Sequence, residues 1–173
     1  MSDEHPAAAL YRKGVGIMLL NRSGKLLLGR RSDIEGGAWQ LPQGGLERGE
    51  QPAEAALREL KEEIGSDRAA ILAESKGWYQ YDLPEELRMQ AWGGRYRGQR
   101  LKWFLMRFSG DDNDIDVTSG SREFNRWIWV PPSDAPALVV SFKQPMYLAV
   151  MEEFRSQLRE HSRSAESRAM PPR

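Results

Sequence analysis

The sequence predicts one α/β domain in which helices cover a mixed β-sheet. Three observations lead there. Strand-like apolar runs occupy both halves of the chain, an amphipathic helix separates them, and a second amphipathic helix follows the last strand. No strict strand–helix–strand alternation repeats, so the sheet is expected to be mixed rather than wholly parallel. The chain has 173 residues with no internal repeat and no linker composition, so one domain over residues 1–160 suffices. Residues 161–173, ending SRSAESRAMPPR, are polar and are expected to be disordered.

Each element has a local reason. GVGIMLL (14–20), NRSG and KLLLG (25–29) read as a hairpin of two strands. AWQLPQGG (38–45) runs from a short strand into a glycine-containing turn. QPAEAALRELKEEIG (51–65) reads as a helix, with Pro52 at its first position and Gly65 at its stop. Ala53, Leu57, Leu60 and Ile64 share one face of it at the 3.6-residue period. AAILAE (69–74) and WYQYDL (78–83) are two further strands. LKWFLMRF (101–108) and WIWV (127–130) are strand-like from their aromatic and aliphatic content, with the acidic loop SGDDNDIDVTSGS between them. PMYLAVMEEFRSQLREHS (145–162) is the closing helix.

Composition removes several classes of function. There is no cysteine, which excludes disulfides, thiolate metal sites and cysteine nucleophiles. The N-terminus MSDEHPAAALYRKG has neither the basic nor the apolar region of a secretory signal, and no run approaches a membrane span. A soluble, cytoplasmic protein is the expectation. Twenty-five basic residues balance twenty-five acidic ones, so any polyanion must be held by a local patch. One such patch is GGRYRGQRLKW, where Arg95, Arg97, Arg100 and Lys102 stand beside aromatics; on composition alone it reads equally well as a solvated loop.

The helix 51–65 poses a physical problem. Its last two turns carry Glu59, Glu62 and Glu63, although carboxylates are unfavourable near the negative end of a helix dipole. Glu59 and Glu63 also form a like-charge pair at i,i+4. On a helical wheel the three acids span an arc of about 100°, opposite the apolar face. Arg58 can pair with Glu62, and with Glu54, which offsets only part of the repulsion. A hard divalent cation with oxygen ligands, shared with a phosphate, would resolve the rest. The preceding Gly44 and Gly45 permit close backbone approach to such a ligand. An acidic helix face is ordinarily just solvated; the crowding at the unfavourable end tells against that here.

Residues Gly44 to Ser66, GGLERGEQPAEAALRELKEEIGS, resemble the Nudix box G-x5-E-x7-R-E-U-x-E-E-x-G-U, where U is apolar. Gly44, Glu50, Arg58, Glu59, Leu60, Glu62, Glu63 and Gly65 match, and only Ser66 departs from the pattern. The resemblance implies a Nudix α/β/α sandwich and hydrolysis of a nucleoside diphosphate linked to another group, with Mg²⁺, or Mn²⁺ or Zn²⁺ in its place. It continues over about residues 11–154. YRKGVGIMLLN, WQLPQGG, GQRLKWF, REFNRWIWV and VVSFKQPMY resemble the subgroup of RNA pyrophosphohydrolases and asymmetric dinucleoside tetraphosphate hydrolases. Leu101 departs from the subgroup's usual glutamine, while DIEGGAW (33–39) and YDLP (81–84) lean towards the dinucleotide hydrolases.

By that resemblance Glu59, Glu62 and Glu63, with the Gly44 carbonyl, ligate metal, and Glu59 or Glu63 orients or deprotonates water. Glu50 holds Arg58 structurally. Glu123, in SREFNRW, is a further ligand or the general base, though alone it reads as an exposed loop acid. Arg12, Arg31, Lys102 and Lys143 are candidate phosphate clamps, each by itself an ordinary surface cation. Phe142 becomes a stacking platform for a base, and Tyr81 a substrate-binding residue; both would otherwise read as core. Trp127 and Trp129 read most simply as core. Two substrates remain open: RNA 5′ ends, converted from triphosphate or diphosphate to monophosphate, and diadenosine tetraphosphate, giving ATP and AMP. Clearance of free nucleoside triphosphates, and a non-catalytic polyphosphate- or RNA-binding module, are the remaining readings.

Overall fold

The computed structural model describes residues 10–33 and 37–170. Expectations for residues 1–9, 34–36 and 171–173 lie outside those described. Strand β1 (Tyr11–Leu20) is the spine. It pairs in parallel with β6 (Gly98–Phe108) along its whole length, and antiparallel with β4 (Gln43–Gly45) over residues 14–16. Beyond β6 lies β5 (Ala69–Asp82), antiparallel to it. On the other side β2 (Leu26–Arg31) pairs antiparallel with β3 (Trp39–Gln40) and β7 (Phe124–Val130). The sheet is therefore mixed, as the sequence pattern predicts.

The near-continuous apolar run of β1 has a direct cause. Val15, Ile17 and Leu19 face one core and Met18 and Leu20 the other, so both faces of the strand are covered. Helix α1 (Pro52–Ile64) covers the first face through Ala55, Ala56, Leu60 and Ile64. The opposite face packs Trp103, Leu101 and Leu105 under Met146, Tyr147 and Val150 of α4 (Gln144–Glu153) and Leu158 of α5 (Arg155–Ala169). Two four-residue helices, α2 (Glu85–Arg88) and α3 (Ala135–Leu138), lie in the connections. Helices on both faces of one sheet make an α/β/α sandwich. Among the described residues no helix is long and apolar enough to cross a membrane.

Four local expectations are corrected. The segments AAILAE and WYQYDL form one strand whose register slips between Ile71 and Ala73 and between Glu74 and Trp78. Bulges let a long strand turn without ending. The buried positions of α1 are Ala55, Ala56, Leu60 and Ile64, while Ala53 and Leu57 pack only at the rim. The closing helix is broken at Phe154 (φ −91°, ψ 9°), whose ring is buried in the core between α4 and α5. Finally, α5 runs to Ala169 through the stretch expected to be disordered. Alanine, glutamate and arginine favour helix there, and its Ser162 backbone lies 3.3 Å from where a side chain on Gly24 would begin.

One contact ties the second layer to the loop that carries the site. The Leu41 N–H donates to the Tyr147 hydroxyl (3.1 Å) within the core, fixing the Gln40–Gly45 segment to α4. Replacing Tyr147 by Phe leaves that buried N–H without an acceptor, which costs about 1–3 kcal/mol. Urea unfolding of Tyr147→Phe should show a loss of that size with an unchanged m-value.

Candidate active site

Helix α1 starts at Pro52, and its end is enforced by Gly65 at φ 75°, whose N–H donates to the Lys61 carbonyl. Ser66, the one departure from the box, is buried, and its hydroxyl accepts the Arg68 N–H at 3.2 Å. The position thus serves the turn out of the helix in place of an apolar contact. Glu59 and Glu63 do not project into solvent. They lie 8% and 1% exposed, turned towards β4. Glu63 Oε2 accepts the Gln43 N–H at 3.2 Å, whereas its Oε1 is buried with no hydrogen-bond partner. A Cβ on Gly44 would lie 2.0 Å from Glu59 Oε2, so only glycine lets the loop backbone approach this carboxylate.

Arg58 organises the acids. Its Nε and Nη2 donate to the two oxygens of Glu50 at 2.7 and 2.9 Å. Nη2 also donates to the Gly45 carbonyl at 2.9 Å, and Nη1 to Glu59 at 2.9 Å and Glu62 at 3.2 Å. Glu50 is therefore a brace, with the second oxygen also taking the Glu47 N–H. The Arg58 hydrogen bonds hold its carboxyl below the usual carboxylate range. Burial pushes the Glu59 carboxyl up, against the pull of Arg58. Burial pushes Glu63 well up, and the neighbouring Glu123 carboxylate raises it further. Glu123 reaches Glu63 from the start of β7, after Arg122 turns the chain at φ 55°. Its carbonyl takes the Ser32 N–H at 2.8 Å.

On the far side of Gln43 lies a buried cation. Lys143 is 1% exposed and donates to Gln40 Oε1 (3.0 Å) and Gln43 Oε1 (3.3 Å), with its ammonium 5.2 Å from the Tyr81 ring centroid. Burial pulls its pKa down to about 7, and Arg31 pulls the same way while Glu63, Glu123 and Asp33 oppose. Gln43 Nε2 donates to Gln99 Oε1 at 2.7 Å, and the Tyr81 hydroxyl donates to the same oxygen at 2.6 Å. Phe142 stands half-buried beside Tyr81, ring centroids 5.8 Å apart.

The predicted residues separate into groups. Glu59, Glu63, Glu123 and Lys143 come together around Gln43, with Tyr81 beneath and Phe142 at the edge. Arg31 joins them electrostatically but is held by Asp33 through two hydrogen bonds, of 2.9 and 2.5 Å. Arg12 packs against Gly45. Lys102 is not brought in: it donates to the Lys76 carbonyl at 3.2 Å and lies 3.8 Å from Glu74, on the β5 side of its strand. Arg100 likewise turns to Trp78. Trp127 and Trp129 are only half-buried, at the rim of the α1-side core. Sequence reasoning missed Gln40, Gln43, Gln99 and Asp33. The PQGG loop was read for its glycines, and a glutamine has no period or charge to mark it.

The donor set suits a hard divalent cation: carboxylate oxygens, one of them buried without a partner, beside a backbone that only glycine brings so close. As the chain stands, Arg58 spreads these acids, and among the described residues no three of them converge on one point. Glu59, Glu62, Glu63 and Glu123, with the Gly44 carbonyl, are the groups that could hold the ion.

A family comparison matches residues 10–150 to the NUDIX domain. The chain belongs to the Nudix hydrolase family, whose members generally use a divalent metal. It is 49% identical over 156 residues to an RNA pyrophosphohydrolase of Rhodospirillum rubrum, covering 88% of this chain and 94% of that one. It is 47% identical over 146 residues to an RNA pyrophosphohydrolase of Rickettsia canadensis, covering 84% and 91%. Among solved structures, the E. coli dihydroneopterin triphosphate pyrophosphohydrolase shares the fold. Its TM-score is 0.66 at 21% identity, with 83% of this chain and 96% of that chain covered.

Two substitutions test this geometry. Gly44→Ala places a methyl group on the Glu59 carboxylate, so the variant should fold but bind Mn²⁺ at least tenfold more weakly by paramagnetic titration. Lys143→Met removes a buried charge. Because the folded-state pKa of Lys143 is near 7 and the unfolded one near 10.5, the unfolded chain binds the extra proton between those values. The native chain should therefore gain stability as pH rises through that window, by at most about 1.4 kcal/mol per unit. Denaturation at pH 7, 8 and 9 should show that slope in the native chain and its loss in Lys143→Met.

Proposed function

We propose that this chain is a Mg²⁺-dependent RNA pyrophosphohydrolase, converting 5′-triphosphate or 5′-diphosphate RNA ends to 5′-monophosphates in the cytoplasm. The observation that carries the chemistry is the pairing of a partnerless buried carboxylate oxygen on Glu63 with a buried Lys143 across the same loop. Metal and polyphosphate together satisfy both, since each supplies the charge the other lacks. The RNA assignment is supported by relatives of that name, 47–49% identical over most of their length.

In this reading Glu59, Glu62 and Glu63 with the Gly44 carbonyl hold the ion, and Glu123 is a further ligand or the base. When bound, the metal lowers the pKa of its water and neutralises charge gathering on phosphate oxygens. The chain's own groups do the rest. Glu63 and Glu123 share one proton-accepting locus, positioned by the Gln43 N–H and by the turn at Arg122. Arg31 and Lys143 flank it and draw the phosphate chain in, the lysine held in aim by Gln40 and Gln43. Phe142 stacks a base at the rim. Arg58, fully engaged with the box acids and Gly45, keeps loop and helix in register while the acids change partners.

The deciding assay compares kcat/KM for 5′-triphosphorylated RNA and diadenosine tetraphosphate in Mg²⁺, with EDTA abolishing and Mg²⁺ restoring turnover. A preference for RNA is expected. Preference for the dinucleotide overturns the RNA assignment, and binding without turnover of either overturns catalysis. Glu63→Gln should lose at least a hundredfold in kcat yet unfold at a higher urea concentration than the native chain in EDTA, because it removes a buried carboxylate. Equal turnover in Glu63→Gln would rule out the metal role of that residue.

A further inference from the structure

The rung of the sheet next to the site carries an unassigned arrangement. Tyr81, Gln99 and Arg12 are register partners on β5, β6 and β1, so their side chains rise from the same face. Phe142 stands against Tyr81 at one end of this rung. At the other end the indole of Trp92 lies over Arg12, whose guanidinium carbon is 5.4 Å from the ring centroid. Arg12 in turn stands against the phosphate-side loop: a Cβ on Gly45 would lie 2.1 Å from its Nη2. Among the described residues Arg12 has no carboxylate partner, unlike Arg31, Arg58, Arg88 and Arg97.

Trp92 reaches that place at a cost. Its φ is 47°, in the left-handed region that bulky residues avoid, and Gly93 and Gly94 follow at 66° and 74°. Tyr96 meets it edge-on, with centroids 6.0 Å apart at 78°. A tryptophan needed only to cover the neighbouring core would not require three successive left-handed residues to aim it at a cation. The backbones of Arg12 and Tyr81, the residues against which the two rings stand, are two strand separations apart, about 10 Å. That exceeds the roughly 3.4 Å between stacked bases. Such spacing suits single-stranded RNA, whose bases are splayed and laid on separate aromatic or arginine planes.

We infer that Trp92, with Arg12 beside it, is a second base platform, taking a nucleotide of the RNA other than the one on Phe142, while Arg12 meets the intervening backbone phosphate. This rests on the RNA reading above and deepens it.

The test uses 5′-triphosphorylated oligoribonucleotides with a single abasic site at the first, second or third position, assayed with the native chain, Trp92→Ala, Trp92→Phe and Phe142→Ala. With the native chain, two different abasic positions should each lower kcat/KM by about tenfold. Trp92→Ala should lose a similar factor on intact RNA, Trp92→Phe much less, and the loss should vanish at one abasic position. The Phe142→Ala loss should vanish at the other. A Trp92→Ala loss that is equal on every substrate, or that shares its position with Phe142, overturns the inference and leaves the RNA assignment standing. So does a single sensitive position in the native chain, an arm that needs no variant to fold. No turnover of any RNA by the native chain removes the RNA assignment, and this inference with it.

Discussion

One guanidinium uses every donor it has. Arg58 has five N–H groups, and it makes five hydrogen bonds: two to Glu50, one each to Glu59 and Glu62, and one to the Gly45 carbonyl. Glu50 lies before the helix, Gly45 in the loop, and the other two acids on the helix itself. A single planar fork thus fixes three chain segments whose backbones share no regular pairing. Lysine has three donors on one point and cannot replace it. The spacing from Glu50 to Arg58 to Glu62 places two acids on either side of one arginine, which explains why a helix with so many carboxylates at its negative end is stable at all.

Two further buried groups lack a counter-charge in direct contact in the resting chain. Glu63 keeps an oxygen buried without a partner, and Lys143 sits fully buried with only two neutral acceptors. Burying such groups costs free energy that a packed apolar core would not. Gln43 stands between them, its N–H on the acid and its carbonyl oxygen on the lysine. The two are therefore bridged by one neutral residue, through its backbone N–H and its side-chain amide oxygen. A ligand bearing both a cation and anionic oxygens relieves both costs together, which is where the selectivity for a metal–polyphosphate complex over either component would arise.

Much of this was legible in the sequence because it is periodic or charged. Leu60 and Ile64, the glycine stop at Gly65, and the fixed offsets of Glu50, Arg58, Glu59, Glu62 and Glu63 announce the helix and its acids. The hairpin at NRSG and the mixed sheet follow from apolar runs and turn residues. What stayed hidden depends on long-range packing. No pattern shows that Glu59 and Glu63 turn inward, since an acid on a wheel looks solvated until β4 is laid against it. Nor could alternation decide Lys102: the bulge in β5 between Glu74 and Trp78 brings the Lys76 carbonyl to the ammonium. Gln40, Gln43 and Gln99 carry no sequence signal, being neutral residues whose role exists only once three distant strands meet. Ser66 reads as a defect in a motif and proves to be a turn acceptor.

A chain of zero net charge that acts on a polyanion must concentrate its cations, and the fold does this by topology. β1 joins the PQGG loop to the β6–β5 side of the sheet, through antiparallel pairing with β4 and parallel pairing with β6. Arg12 near its start therefore adjoins Gly45 on one side and the Gln99–Tyr81 rung on the other. Lys143 arrives from the opposite layer at the beginning of α4, and Arg31 from the end of β2. Three cations from three separate elements stand near acids contributed by α1 and by Glu123 at the approach to β7. With no net charge to attract a polyanion at long range, binding depends on this local set. Attraction becomes strong only at contact distance, where the buried dielectric is low and each phosphate meets its own partner.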